Sequence, residues 1–206
     1  WKRGKVNPRL KRLGMNRGWT LCNSGIFHNP AGVLFYARVL NGFPTVHSHA
    51  IHIKKLTMRA VIQRVQRAEV RTSTKSEQIK HGLLILLGVE ESDTPEEADW
   101  MVKKIMKLRI FNDEEGKMNR SVEDIDGELM VISQFTLYGD ARKGTRPSYI
   151  KAARPETAIP LYEYVLEKLQ EQSNHRVASG EFGSHMDIEL VNDGPVTLIL
   201  EREKQN

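Results

Sequence analysis

Three polar side chains, Ser133, Gln134 and Thr136, interrupt an apolar stretch near the middle of this 206-residue chain. A buried polar group without a partner costs about 1–3 kcal/mol, so a packed strand does not carry three of them without a reason. They lie on a solvated face, or bond to neighbouring strands, or line a cleft where the strand ends. The cleft is the alternative that supports chemistry, with Phe135 beside them.

The familiar kinds of active site are poorly supported by the sequence. Ser133 does not stand in Gly-x-Ser-x-Gly, and no His and Asp pair occurs at a recognisable spacing from it. The candidates for a general base, His81, His175 and His185, are each more typical of structural or surface residues. Residues 58–206 contain no P-loop, no dinucleotide-binding glycine fingerprint and no metal-ligand spacing, so neither a metal nor a cofactor is predicted.

A basic, glycine-punctuated loop follows the polar block at residues 139–147 and carries Arg142, Lys143 and Arg146. Such a charge run is usually a solvated surface. Beside a cleft, the same side chains would hold the phosphates of an RNA end, because Arg and Lys make charge-assisted contacts to phosphate oxygens. Both interpretations stay open from the residues alone.

The segment Asn-Asp-Gly-Pro-Val-Thr at 192–197 stands between two apolar runs. Proline cannot donate to a sheet ladder and restricts the residue before it, so Gly194-Pro195 is predicted to be a stiff corner between two strands. The local sequence favours a rigid structural turn, and a cis bond is the minority form of such a dipeptide.

The net charge of +5 is unevenly distributed along the chain. Residues 1–57 hold ten Lys or Arg and no Asp or Glu, whereas residues 58–206 hold 21 basic and 26 acidic side chains. A whole-domain electrostatic argument for nucleic acid therefore fails for the second part, and no DNA partner is expected. No apolar run approaches the roughly 20 residues of a membrane span, and the single cysteine, Cys22, excludes a disulfide within the chain.

The first 57 residues form a basic leader that we expect to be poorly structured and of doubtful nativeness. Three interpretations compete for it. It is a basic arm for phosphate contacts, or a metal site built on His47, His49 and His52, or non-native or translated upstream sequence that precedes a true start at Met58. The compositional break at Met58 favours the third.

The remaining residues, 58–206, are predicted to form one α/β (α+β) domain of about seven strands and two principal helices. The run at 83–87 is typical of a strand buried on both faces, and residues 128–137 are predicted to be a central strand. Thr94 followed by Pro95 and Glu97 predicts a capped helix start. A second helix is expected around residues 161–169, with Pro160 in or before its first turn.

Six blocks in this order resemble the D-aminoacyl-tRNA deacylases, over residues 58 to about 202. They are Met-Arg-Ala-Val-Ile-Gln-Arg-Val at 58–65, Leu-Leu-Gly-Val-Glu at 86–90, Gly-Lys-Met-Asn at 116–119, Ser-Gln-Phe-Thr-Leu at 133–137, Arg-Lys-Gly at 142–144 and the segment at 192–197. The leader has no counterpart in the family pattern.

The resemblance implies a curved, barrel-like sheet and a cytoplasmic homodimeric hydrolase that needs no cofactor. Such an enzyme would cleave the ester of D-aminoacyl-tRNA, and of glycine mischarged on tRNA, as a proofreader acting in trans. A catalytically silent tRNA-binding or dimer-scaffold protein is the alternative.

The resemblance also implies roles for individual residues. Ser133, Gln134, Phe135 and Thr136 would line the catalytic pocket, with main-chain N–H groups near Phe135 and Thr136 holding the oxyanion and with Thr136 positioning the substrate. A cis Gly194-Pro195 would enter the pocket of the other subunit and exclude L side chains. The remaining expected contacts with the tRNA end are made by Met118, Asn119, Arg142 and Lys143.

Overall fold

The computed structural model describes residues 20–22, 26–28, 34–40, 43–47 and 55–204. The first four segments are strands of one antiparallel sheet in the order β1-β2-β3-β4. They are β1 Thr20–Cys22, β2 Ile26–His28, β3 Leu34–Leu40 and β4 Phe43–His47. The residues from Lys55 to Lys204 form a separate compact unit.

The leader prediction concerns residues that are only partly described. Four short strands form within it, and strand β5 of the second unit begins at Lys55, three residues before the predicted boundary at Met58. His47 ends β4, whereas His49 and His52 lie outside the described residues. The nativeness of the leader and its disorder elsewhere stay predictions.

The second unit combines eight strands with two helices, which confirms the predicted class of a mixed α/β fold with a nearly closed, barrel-like sheet. In the described ranges, no helix is both long enough and apolar enough to cross a membrane. The elements are β5 Lys55–Arg71, β6 Ser76–Ile79, β7 Gly82–Gly88, α1 Pro95–Lys107, β8 Phe111–Asn112, β9 Met118–Arg120, β10 Glu128–Ser133, α2 Pro155–Gln172, β11 Val177–Ser179 and β12 Asp187–Lys204.

The main sheet has the order β11-β10-β7-β5-β12, with β6 also paired to β5. Strand β10 lies between β7 and β11 and is parallel to both, whereas β5 is antiparallel to β7 and β12. Strand β7 is buried on both faces, as predicted: Leu83 and Ile85 pack in the cluster that contains the helices, and Leu84 packs in a second cluster on the opposite face.

Strand β5 runs without a break from Lys55 to Arg71. The pairing with β12 passes from Val191 opposite Arg67 to Asn192 opposite Val65, so Gln66 is an extra residue. Such a bulge shifts the alternation of side chains by one residue and bends the strand. The bulge at Gln66 therefore bends β5 without interrupting it.

A corner between two strands was predicted at Gly194-Pro195, but the structure has no turn between two strands there. The two apolar runs around it belong to one strand, β12, which pairs with β5 along its length. Asn192 is opposite Val65 and Thr197 is opposite Gln63, so the intervening four residues leave the ladder as a large bulge opposite Arg64. Proline fits there because residues in the bulge need not donate to the ladder.

Strand β10 ends at Ser133, four residues before the predicted end at Leu137. Residues Phe135–Tyr138 form a 3-10 turn. The turn begins where the N–H of Gln134 bonds the carbonyl of Leu87 at 2.7 Å. The buried Tyr138 then donates its hydroxyl to the carbonyl of Thr57 at 3.0 Å. These two anchors bend the chain across the end of β7.

The start of α1 agrees with the prediction, and the carboxylate of Glu97 accepts hydrogen bonds from the N–H and the hydroxyl of Thr94.

The expectation for Pro160 is wrong, because α2 begins at Pro155 and Pro160 lies inside it. The missing N–H leaves the carbonyl of Glu156 without its helical partner, but both residues are exposed, so this carbonyl is accessible to solvent.

Replacing Gly82 by Ala tests the packing of β7 against β10. A Cβ on Gly82 would lie 1.8 Å from the carbonyl oxygen of Glu128, its pairing partner. We expect Gly82→Ala to lower the free energy of unfolding by about 3 kcal/mol or more, since backbone atoms must move. Gly116→Ala is the control, because nothing lies within 4 Å there and only the left-handed backbone, at about 1 kcal/mol, opposes it. Equal losses in urea unfolding would contradict the register.

Asp93 predicts a pH dependence of stability. Its carboxylate accepts the N–H groups of Met58 and Glu90, at 3.0 and 2.7 Å, yet burial raises its pKa to about 6. Because this pKa lies above the value of about 3.9 in an unfolded chain, the folded state binds the proton more tightly. The contribution of Asp93 to the free energy of unfolding therefore falls as the pH rises from about 4 to 6 and is level above that.

Urea unfolding of the wild type and Asp93→Asn at pH 4.5 and 7 measures this contribution. The free energy of unfolding of the wild type, relative to that of the variant, should be lower at pH 7 than at pH 4.5. A relative stability that rises with pH would show that the two hydrogen bonds outweigh the burial.

Candidate active site

A cavity of about 270 Å³ opens at the carboxyl ends of the parallel strands β7 and β10. Ligand sites commonly form where parallel strands end, because loops and helix starts converge there. Its wall combines these strand ends with the start of α2 and the segment between β11 and β12. The lining residues are Leu87, Val89, Ile132, Ser133, Gln134, Phe135, Ala153, Ala158, Tyr162, Phe182, Gly183, Ser184, His185, Met186 and Ile188.

The 3-10 turn Phe135–Tyr138 begins at the cavity wall, which includes Phe135. A 3-10 turn bonds each N–H to the carbonyl three residues earlier, so the N–H groups of Phe135 and Thr136 at its start have no partner within the turn. The first internal bond runs from the N–H of Leu137 to the carbonyl of Gln134 at 3.3 Å. Two adjacent N–H groups are therefore left available where the predicted oxyanion site lies.

The turn is held rigidly against the sheet. Arg59 donates to the carbonyl of Leu137 at 2.9 Å, and its guanidinium lies 5.0 Å from the ring centre of Tyr138. Burial raises the pKa of the Tyr138 hydroxyl well above its usual range, so the phenol stays neutral and donates. Gly88 permits the close approach, since a Cβ there would lie 3.0 Å from the Tyr138 ring.

The side chains of the polar block take different positions. Ser133 and Gln134 are half-buried in the cavity wall, and the amide of Gln134 donates to the hydroxyl of Thr136. Thr136 itself is exposed and does not line the cavity. Phe135 is 59% exposed and packs edge-on against Tyr149, with 5.2 Å between ring centres. The block thus supplies a polar edge and an exposed aromatic ring.

Two aromatic residues of the wall were not predicted from the sequence. Tyr162 lies on the apolar face of α2, which is typical of a core residue, and it donates to the carbonyl of Val131 at 2.8 Å. Phe182 lies 5.8 Å from Tyr162 between ring centres. The only available signal was a glycine-containing loop at 180–186 that carries two large apolar residues, Phe182 and Met186.

The dipeptide Gly194-Pro195 is cis, as the family resemblance implied, and both residues are exposed. Gly194 has φ +126°, a backbone that favours glycine, and a Cβ there would lie 2.7 Å from Cγ2 of Val196. Neither residue lines the cavity of its own chain. A single chain therefore holds the cavity and the cis dipeptide at separate places.

Arg64 fixes the bulge that carries this dipeptide and was not singled out from the sequence. Its side chain is buried, with Nε 2.9 Å from Oδ2 of Asp193. Its Nη1 donates to the carbonyl of Ile110 at 2.5 Å and to Oδ1 of Asn112 at 3.4 Å. The sequence carried a signal for this role: Arg64 is a charged residue inside an apolar strand, and a buried charge needs partners.

The predicted tRNA-end residues Met118 and Asn119 lie on β9, in a hairpin with β8. Met118 is 58% exposed. The side chain of Asn119 is engaged inside the hairpin, because Arg109 donates to its carbonyl at 2.6 Å and to its side-chain oxygen. The carboxylate of Asp113 accepts hydrogen bonds from the N–H of Lys117 and from other groups, including Asn119. These hydrogen bonds keep the pKa of Asp113 below its usual range.

The basic loop contains both engaged and free cations. Arg142 bonds both carboxylate oxygens of Asp140 and so keeps the pKa of that carboxyl well below its usual range. Lys143 and Arg146 are exposed, and within Lys55–Lys204 no ion pair engages either of them. Of the three side chains predicted as phosphate ligands on this loop, Lys143 and Arg146 have no ion pair within Lys55–Lys204, and Arg142 is held by Asp140.

The three candidate histidines do not form a catalytic pair with the polar block. His81 lies 3.5 Å from Asp193, His175 lies 3.3 Å from Asp126, and His185 lies 3.6 Å from Asp187. Only His185 borders the cavity, and its side chain is 92% exposed. Among the residues from 55 to 204 and the four leader strands, no group of three or more His, Cys, Asp or Glu could hold a metal ion.

Comparison with known proteins identifies the family of this chain. The family model described as D-Tyr-tRNA(Tyr) deacylase matches residues 61–201. A D-aminoacyl-tRNA deacylase of Thermosipho melanesiensis is 53% identical over 148 residues, which are 71% of this chain and 99% of the relative. A protein of the same name from Flavobacterium johnsoniae is 47% identical over 149 residues, covering 72% of this chain and 99% of the relative.

Two solved structures share the fold. One, titled "c-Myc DNA Unwinding Element Binding Protein", is 39% identical with a TM-score of 0.66 and covers 70% of this chain and 98% of its own. The other, titled as a probable eukaryotic D-amino acid tRNA deacylase, is 17% identical with a TM-score of 0.63, over 71% of this chain and 100% of its own. From the matched model, the relatives and the shared fold, the chain belongs to the D-Tyr-tRNA(Tyr) deacylase family.

Proposed function

We propose that this protein hydrolyses the ester bond between a D-amino acid and the 3′ end of tRNA, releasing the free D-amino acid and the tRNA. The observation that carries the proposal is the pair of unused N–H groups of Phe135 and Thr136 beside the cavity. Such donors stabilise the negative oxygen that develops when an ester is attacked. The family and its curated relatives supply the substrate class.

In the proposed reaction a water oxygen adds to the ester carbonyl, whose oxygen lies against the N–H groups of Phe135 and Thr136. The tetrahedral intermediate then collapses, the bond to the ribose 3′-oxygen breaks, and the proton lost by the water passes to that oxygen. The neighbouring 2′-hydroxyl of the ribose activates the water, which fits a polar block without a histidine partner. Thr136, whose hydroxyl accepts from Gln134, positions the substrate.

Chirality is proposed to be read by the cis Gly194-Pro195 of a second subunit. Neither residue lines the cavity of its own chain, so a homodimer in which each bulge enters the opposite cavity completes both sites. A rigid main chain next to the α-carbon clashes with an L side chain and leaves room for a D side chain. Glycine has no side chain to exclude, so glycine mischarged on tRNA is also a substrate.

The tRNA partner is proposed to contact the exposed cations of the basic loop. Residues 58–206 carry a net negative charge, so local cations must compensate for the repulsion of the phosphates. Lys143 and Arg146 are free of ion pairs within the described part of the chain, whereas Arg142 is held by Asp140. We assign Lys143 and Arg146 to the phosphates and place the enzyme in the cytoplasm, where tRNA is charged.

The release of tyrosine from D-Tyr-tRNA and L-Tyr-tRNA by the full chain tests this proposal. The D ester should be hydrolysed faster by about two orders of magnitude, the scale that steric exclusion provides at a shaped site. Pro195→Ala should narrow this ratio, because the bulge loses its fixed backbone. Pro160→Ala, an exposed proline in α2, is the matched control and should keep the ratio.

Equal rates of hydrolysis of the two esters, or no release of D-tyrosine, would contradict the proposed D-aminoacyl-tRNA deacylase activity. Binding of tRNA without turnover, unchanged by Pro195→Ala and Thr136→Ala, would instead support a catalytically silent tRNA-binding protein.

The role of the Phe135 N–H is tested by comparing Phe135→Pro with Phe135→Ala. Phe135 is the first residue of the 3-10 turn and follows Gln134, whose φ of −142° and ψ of 81° lie outside the helical region, so proline fits there. Both variants lose the ring, but only Phe135→Pro loses the N–H. The turnover number of Phe135→Pro should be lower than that of Phe135→Ala by about 10²- to 10³-fold, the cost of one oxyanion donor.

Thermal unfolding of both variants controls for damage to the turn. Equal turnover in two equally stable variants would exclude the N–H of Phe135 from catalysis.

A further inference from the structure

The carboxylate of Asp93 is bound by two main-chain donors from different parts of the sheet. The residue is buried, at 6% exposed. Its Oδ1 accepts the N–H of Met58, in strand β5, at 3.0 Å. Its Oδ2 accepts the N–H of Glu90, just after strand β7, at 2.7 Å. Each oxygen therefore has its own donor, and each donor belongs to a peptide group that makes a second contact.

The first peptide group connects Asp93 to the 3-10 turn. The N–H of Met58 and the carbonyl of Thr57 belong to the same peptide bond, and that carbonyl accepts the hydroxyl of Tyr138 at 3.0 Å. Tyr138 is buried and is the last residue of the turn that carries the two unused N–H groups. Hydrogen bonds at the two ends of one peptide group polarise it and strengthen each other. Asp93 therefore supports the anchor of the turn.

The second peptide group connects Asp93 to another part of the cavity wall. The N–H of Glu90 and the carbonyl of Val89 share a peptide bond, and that carbonyl accepts the N–H of Ala153 at 2.9 Å. Val89 and Ala153 both line the cavity, and Ala153 lies just before α2. One carboxylate is thus connected, through one peptide group on each oxygen, to the turn and to the segment that leads into α2.

Only the ionised form of Asp93 can serve both donors as the structure shows. A carboxylate is an acceptor at both oxygens, whereas a protonated carboxyl carries a donor on one of them, and an asparagine offers a single acceptor oxygen. Burial raises the pKa of Asp93 to about 6; Glu90 and Glu97 add to this rise, and the two N–H donors oppose it. Near neutral pH both peptide groups therefore keep their acceptor.

The partner of the first peptide group does not titrate in this range. Burial raises the pKa of the Tyr138 hydroxyl well above its usual range, and the charge of Asp93 adds to the effect. Tyr138 therefore remains a donor. The other charged side chains that act on Asp93 or Tyr138 come from the segment after β7, from α1, from β5 and from β12, and they are Glu90, Glu97, Arg59 and Glu201.

We propose that Asp93 is a positioning residue for the deacylation: its ionised carboxylate fixes, through these two peptide groups, the oxyanion donors of the 3-10 turn relative to the cavity wall before α2. This inference rests on the proposed function. Protonation of Asp93 removes one of the two acceptors, so the turnover number falls as the pH drops through about 6. Ionisation thus lowers the free energy of unfolding, while it completes the two hydrogen bonds that hold the site.

The kcat and KM of the full chain for D-Tyr-tRNA, measured between about pH 5 and 8 for the wild type and Asp93→Asn, test the assignment. Near pH 8, Asp93→Asn should lower kcat about tenfold with little change in KM, because small displacements of groups around the reacting atoms cost one to two orders of magnitude. Near pH 5 the wild type is protonated at Asp93, so the ratio of the two kcat values should approach one. The ratio cancels the pH dependence of the substrate.

Tyr138→Phe tests the route through the turn, since it keeps the ring and removes only the hydroxyl that Thr57 accepts. The double variant with Asp93→Asn should lose less in kcat than the product of the two single losses, because both changes weaken the same connection. Asp124→Asn is the matched control. That carboxylate accepts the N–H and the hydroxyl of Ser121, at 2.7 and 2.8 Å, and does not line the cavity, so kcat and its pH profile should stay unchanged.

A wild-type kcat in Asp93→Asn near pH 8, or a ratio of kcat values that is constant with pH, would overturn the positioning role and leave the deacylase activity standing. Single losses that multiply in the double variant would overturn the route through Tyr138. Absence of D-tyrosine release by the wild type at every pH would instead refute the proposed function. Thermal unfolding at each pH restricts the comparison to variants that are folded in the assay.

Discussion

The buried guanidinium of Arg64 is the contact on which the arrangement of the bulge depends. Asp193 neutralises its charge at 2.9 Å, and acceptors on Ile110 and Asn112 take further hydrogen bonds. Because the guanidinium is buried, removing the Asp193 carboxylate would leave its charge without compensation, which destabilises the folded state. The dipeptide after Asp193 is therefore tied to the sheet through Arg64, although both of its residues are exposed.

The cavity depends on a different constraint, the simultaneous end of two parallel strands. Strands β7 and β10 run side by side from Gly82 opposite Glu128 to Leu87 opposite Ser133. The chain then turns sharply, because Gln134 bonds back to Leu87 and Tyr138 enters the core. Because of the turn, the strand ends earlier than a straight strand would, and two N–H groups have no hydrogen-bond partner within the turn. A straight strand to Leu137 would have committed such groups to the ladder.

Local signals in the sequence were sufficient where one residue type has one structural use. Thr94, Pro95 and Glu97 predicted the start of α1, and the leucine-rich run predicted a strand buried on both faces. The prediction for Pro160 was wrong because it considered only the helical hydrogen bond that proline cannot donate. The exposed surface of α2 allows water to replace that bond, and its apolar face still packs through Leu161 and Val165.

Features that depend on pairing were not predictable from one sequence. The extra residue Gln66 and the four-residue bulge of β12 are defined only by the partner strand, so the two apolar runs of β12 were taken as two strands. The cis state of Gly194-Pro195 came from family resemblance, since its local residues favour trans. The polar block was identified because Ser133, Gln134 and Thr136 are unusual in a strand, whereas Tyr162 and Phe182 look like ordinary core residues.

A crystal structure of the dimer with a non-hydrolysable 3′-D-tyrosyl-adenosine analogue tests the divided site most directly. The carbonyl oxygen of the analogue should lie about 2.7–3.1 Å from the N–H groups of Phe135 and Thr136 of one subunit. The cis Gly194-Pro195 of the other subunit should contact the α-carbon. An analogue bound away from the 3-10 turn, or flanked by the dipeptide of the same chain, would contradict the division of the site between two subunits.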